Sequence, residues 1–198
     1  MAELVGRKGD ARFVSPDEVV ALEERIRQRH DTSAFNVVLY YAFDPRTNVR
    51  PYWGLASSMP SEGARSIGAL FNRLGFNTRI VLGPWSDFQP TQALMRGRPI
   101  DMLLVSSMDI HEEDHNRVIA DALEMGDQAP VIWTGGPLVI YEWFKSLKRQ
   151  AHLAVPGEEY PAMLALEALL DARRPGRSLR EAQLEVNQSH ALAGRPGL

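Results

Sequence analysis

The sequence predicts a doubly wound α/β fold: a five-stranded parallel sheet with helices on both faces. Three observations carry this. Short apolar runs rich in β-branched and aromatic residues alternate with helical segments through most of the chain. The run 35–41 (FNVVLYY) is almost continuously apolar, the signature of a strand covered on both faces. Small residues, Gly or Ser, follow several of the strands where the chain turns into a helix. Strands alternating with helices require parallel pairing with right-handed crossovers, the Rossmann or flavodoxin-like arrangement.

A leader of residues 1–34 precedes the domain. In it, Ser15 suits a helix cap, Pro16 the first turn, and Asp17 and Glu18 the positive end of the helix dipole. Val19, Val20, Leu22 and Ile26 form a narrow apolar stripe, expected to rest on a domain edge. The α/β domain spans 35–172. Its first strand is followed by a polar, proline-bearing loop over 44–59 and a helix over 61–74, stopped by Gly75. A strand at 78–82, a short helix around 91–95 ending at Gly97, and a strand at 101–107 come next. A helix over 112–125, a strand at 130–134 and a helix over 141–148 follow. A strand at 152–155 and a helix over 161–172 close the domain. Residues 173–198 open on a break (RRPGR) and read as a C-terminal helical extension or linker.

Composition narrows the function classes. The chain has 198 residues and a formal charge of −3, with no run of Lys or Arg, so it lacks an electrostatic footprint for nucleic acid. No apolar run reaches the ~20 residues that span a bilayer, and the start lacks a signal-peptide core. Zero cysteines exclude disulfides, thiolate zinc sites and cysteine-held iron–sulfur clusters on this chain. The expected location is the cytoplasm.

In such a sheet the ligand lies outside the carboxyl ends of the strands, next to the point where strand order reverses. The loops there hold Tyr52, Trp53 and Gly54 after the first strand and Ser106-Ser107-Met108-Asp109 after the third. Thr134-Gly135-Gly136-Pro137 follows the fourth strand and Gly157-Glu158-Glu159 the fifth. Ser and Gly at adjacent corners let a ligand approach the backbone and meet its amides and hydroxyls. Trp53 is the aromatic residue placed to touch a ligand, since it sits in the long loop at a strand end.

These pieces, in this order, resemble the cobalamin-binding domain attached to many radical S-adenosylmethionine enzymes. The pieces are Pro60 to Gly68 with Gly63 inside, Gly75-Phe76, Val105 to Met108, Thr134 to Pro137 and Val155 to Glu159. The likeness covers about residues 35–172. It implies that the nucleotide tail of cobalamin enters the sheet edge in a slot of Ser106, Ser107, Gly135, Gly136 and Gly157. The corrin would lie over the strand ends, near Tyr52, Trp53, Met108, Pro137 and Glu158. The motif D-x-H-x-x-G, whose His ligates cobalt in the wider class, is absent, so the base-off state without a protein His on cobalt is implied. No C-x-x-x-C-x-x-C is present either. The resemblance therefore implies a cofactor-binding component serving a separate radical or methyltransferase partner. The alternative is a flavodoxin-like domain binding flavin or a phosphorylated metabolite, as an enzyme or regulator. Against it, the loop after the first strand begins Asp44-Pro45-Arg46, not a Ser/Thr/Gly cradle, and neither G-x-G-x-x-G nor a P-loop occurs.

Two motifs imitate other chemistry. His111-Glu112-Glu113-Asp114-His115 spells the H-E-x-x-H of zinc proteases, but three acids at a helix start are what the dipole favours, and Glu112 is expected to cap that helix. Asp109-Ile110-His111 copies half of D-x-H-x-x-G after the wrong strand and reads as loop and cap. No nucleophile–base pair nominates a catalytic mechanism.

Overall fold

Strand β1 (Asn36–Ala42) is buried at all seven positions, so it lies in the middle of the sheet. In the computed structural model, which describes residues 14–43, 62–156 and 159–193, it pairs in parallel with β2 (Asn77–Gly83) and β5 (Met102–Ser107). Strand β6 (Val131–Gly135) extends the sheet beyond β5, and β7 (Leu153–Ala154) closes that edge. The order β2-β1-β5-β6-β7 is the flavodoxin-like one, all parallel, as the sequence predicts.

The period of two divides the core. Val37, Leu39, Tyr41, Met102, Leu104, Val131 and Trp133 face one side. Val38, Tyr40, Ala42, Leu103, Val105 and Ile132 face the other. The first side is covered by α1 (Pro16–Arg29), α2 (Glu62–Arg73), α5 (Glu159–Ala172) and α6 (Leu179–Gln188). The second is covered by α3 (Glu112–Leu123) and α4 (Pro137–Lys148), with the chain between β2 and β5 filling the remainder.

Helix α1 starts at the expected Ser15–Glu18 capping box and buries Leu22 and Ile26 in the first core. Its Arg25 guanidinium grips the buried Glu167 carboxylate of α5 through two hydrogen bonds, of 2.5 and 3.1 Å. The C-terminal extension shares that core. Ser178 and Glu181 form a capping box, and Leu179, Ala182, Gln183 and Val186 are buried. The Trp133 indole N–H donates to Gln183 Oε1 at 2.7 Å, both residues being buried. Gln183→Ala is therefore expected to lower stability by about 1–3 kcal/mol, the cost of a stranded buried donor. Urea unfolding followed by tryptophan fluorescence checks this; an unchanged midpoint contradicts it.

Two local expectations fail. No helix forms around 91–95; two 3₁₀ turns, Trp85–Asp87 and Pro90–Gln92, lead into a hairpin of β3 (Leu94–Met95) and β4 (Arg98–Pro99). Arg96 and Gly97 both have positive φ, 51° and 72°, so Gly97 belongs to a two-residue hairpin turn and is no helix stop. Helix α4 begins at Pro137, four residues before the expected start, because Gly136 takes the N-cap and proline the first turn.

Candidate ligand site at the carboxyl edge of the sheet

After β1 the chain crosses to the α2 side, and after β5 it crosses to the α3 side, so strand order reverses between these neighbours. The carboxyl ends of β1 and β5 flank the switch point, and that of β6 lies one strand away. Ser106 is paired with Tyr41 on one side and Gly135 on the other. A Cβ on Gly136 would stand 2.3 Å from Ser106 Oγ and 3.4 Å from the Ser107 amide nitrogen, and φ at Gly136 is +82°. A Cβ on Gly135 would approach the Val155 carbonyl at 3.4 Å. The corner is thus built of backbone and one hydroxyl, and only small residues fit it. Ser106, Gly135 and Gly136 are half-buried, Pro137 is exposed, and Met108 and Ile110 project into solvent from the loop after β5.

This contact sets up a double-mutant cycle. Gly136→Ala is expected to cost about 1–3 kcal/mol through its left-handed backbone, plus the clash with Ser106. Ser106→Ala removes the Oγ and should return the clash component, leaving a favourable coupling of about 1 kcal/mol when the two are combined. Additive effects in chemical denaturation would show that the two side chains do not meet.

The two serines turn to opposite faces of the sheet, as neighbours on a strand must. Ser107 is fully buried, and its Oγ lies 2.9 Å from His115 Nδ1 on the α3 side. His115 Nε2 reaches Ser146 Oγ of α4 at 3.4 Å. Burial pushes the His115 imidazole down to about 4, only weakly opposed by Glu112, so the ring is neutral near pH 7 and links two hydroxyls. Of the expected slot, then, Ser106, Gly135 and Gly136 come together. Ser107 contributes its backbone there, while its hydroxyl is engaged behind the sheet.

The H-E-x-x-H residues disperse. His111 is buried with its ring edge-on to Phe43 at 5.5 Å. Glu112 does not cap α3; its carboxylate pairs with Lys145 of α4 at 3.1 Å, because the side chain faces the neighbouring helix. Asp114 accepts the Trp85 backbone N–H at 2.9 Å. Among the described residues no group of three or more His, Cys, Asp or Glu could hold a metal ion. Asp109–His111 is a single 3₁₀ turn.

Gly63 lies exposed in the first turn of α2. In the same turn region Ser66 donates to the Glu159 carboxylate at the start of α5, a tie between the two helices that the sequence did not suggest. Tyr52, Trp53, Gly157 and Glu158 lie outside the described residues. Among the described residues, no helix is long and apolar enough to cross a membrane. The chain matches no protein-family model, and no curated protein matches it significantly.

Proposed function

We propose that this chain binds cobalamin in the base-off state, with the nucleotide tail at the corner formed by Ser106, Gly135 and Gly136. The observation that supports the reading most is that corner: small, half-buried residues on adjacent strand ends, next to the switch point of a β2-β1-β5-β6-β7 sheet. These residues fit a polar, flexible tail. The Ser106 hydroxyl and the Gly135 and Gly136 backbone would meet its polar atoms from the solvent side of the corner, whose inner side is filled by Ser106 Oγ and the Val155 carbonyl. Exposed Met108 and Ile110 supply an apolar rim for a ring system. His111 packs against Phe43, and His115 bridges Ser107 and Ser146 behind the sheet. Bound cobalamin supplies a cobalt centre able to carry a methyl group or exchange electrons. This chain's residues would hold and orient the cofactor for a separate radical S-adenosylmethionine or methyltransferase partner.

The test is retention. Protein mixed with hydroxocobalamin at micromolar concentration should keep a coloured cofactor through gel filtration, with the spectrum of cobalamin lacking benzimidazole on cobalt. A colourless protein overturns the proposal. A thermal-shift panel with flavin mononucleotide and nucleoside phosphates covers the other ligands this sheet order accommodates. A ligand at 100 times its dissociation constant adds ~2.7 kcal/mol, enough to move the transition.

A further inference from the structure

Strand β5 is held differently at its last residue from the rest of its length. Against β1 the pairing runs to the end, with Ser107 opposite Ala42. Against β6 it stops one residue earlier, at Ser106 opposite Gly135. There the chain leaves the sheet at Gly136, whose φ of +82° ends the strand and opens α4. Ser107 therefore has a ladder partner on one side only. On the α3 side its hydroxyl supplies the missing anchor: Oγ lies 2.9 Å from His115 Nδ1, and His115 Nε2 lies 3.4 Å from Ser146 Oγ. Ser107, His115 and Ser146 are 0, 0 and 1% exposed. A neutral imidazole accepts at one nitrogen and donates at the other, which suits two hydroxyls. Glu112, the charge that acts on the ring, is itself held by Lys145 of α4 at 3.1 Å. Sealed in this way, the Ser107–His115 pair meets no substrate, so its effect on function runs through geometry. Strand parity carries that effect to the open corner. With the Ser107 hydroxyl drawn behind the sheet, the Ser106 hydroxyl faces the other way, against Gly136.

We propose that His115 is a positioning residue for the ligand corner: by holding Ser107 it fixes the end of β5, and with it the Ser106 hydroxyl that faces Gly136. The inference rests on this corner being where the ligand binds. It gives a part in binding to a residue that touches no ligand. A wall already fixed in place loses less freedom when the ligand arrives, so a contact behind the site changes affinity.

The test separates support of the fold from support of the site. His115→Leu strands the Ser107 hydroxyl and Ser107→Ala strands a ring nitrogen, so each alone should lower the urea midpoint. The double variant removes both partners and should regain most of that loss. Binding should not follow the recovery. Hydroxocobalamin affinity by equilibrium dialysis at pH 7 is expected to fall at least fivefold in the double variant. His115→Gln, which keeps an acceptor and a donor, should stay within twofold of wild type. Amide exchange without ligand is the second readout: the double variant should exchange at least tenfold faster across 105–108, with 27–33 and 74–75 unchanged. Affinity that recovers together with stability, or that is lost equally in His115→Gln, overturns the inference. Wild-type exchange rates at 105–108 overturn it in every case. If the wild type itself binds no cobalamin, the function proposed above fails, while faster exchange at 105–108 still upholds this inference.

Discussion

Asn36→Ala is expected to cost about 3–5 kcal/mol. Asn36 is fully buried at the start of the central strand. Its Nδ2 donates to the carbonyls of Met95 and Pro99 at 2.9 and 3.0 Å, and its Oδ1 accepts from Asn77 at 2.6 Å. Its backbone N–H donates to Asp101 Oδ2 at 2.7 Å. The side-chain amide therefore fixes the β3–β4 hairpin and the start of β2, while the backbone N–H fixes the entry to β5. Truncation strands two carbonyls and an amide in a buried place, each worth ~1–3 kcal/mol, with partial relaxation. Equilibrium urea unfolding measures the loss; a change below 1 kcal/mol would mean the hairpin is not anchored here. Burial raises the Asp101 carboxyl above its ordinary value, so the folded chain takes up this proton more readily than the unfolded chain and mild acid does not destabilise the fold through this group.

Acid should destabilise the domain well above the usual carboxylate range. Burial holds His115 at about 4, and burial together with Arg180 holds His152 at about 4, against an ordinary ~6.5. A depressed histidine is protonated in the unfolded chain first. Stability is thus complete above pH 6.5 and falls by ~1.4 kcal/mol per pH unit per histidine as pH drops towards 4. His115 alone accounts for about 3 kcal/mol; half-buried His152 adds less, since solvent reaches it. Urea titrations at pH 7 and 4.5 should show this drop, and His115→Gln should remove more than half of it while keeping amide hydrogen bonds to Ser107 and Ser146. Parallel pH dependence in wild type and variant would contradict a neutral, buried His115.

The fold was legible because burial is written into the strands. The run 35–41 could only be a central strand, and β5 and β6 repeat its pattern with burial at nearly every position. The hairpin at 94–99 was not legible, since two-residue strands carry no period and Arg96 gives no sign of its positive φ. The site was legible in its location and only partly in its residues. Strand parity alone required Ser106 and Ser107 to face opposite sides, and the slot expected from both hydroxyls overlooked it. His115 was obscured by the H-E-x-x-H spelling. Yet His115, Val118, Ile119 and Ala122 follow i, i+3, i+4, i+7, which marks that histidine as facing the core, and all four are buried. Gln183 looked like part of a polar tail because its partner, Trp133, is 50 residues away in sequence.

Amide hydrogen exchange with and without hydroxocobalamin tests the central claim most directly, because it reports where the ligand sits. The expected result is slowed exchange confined to 105–111 and 134–138, the ends of β5 and β6 with the first turn of α4, and unchanged exchange at the opposite edge around residues 27–33 and 74–75. Exchange unchanged at the strand ends, or slowed only at that opposite edge, would contradict it.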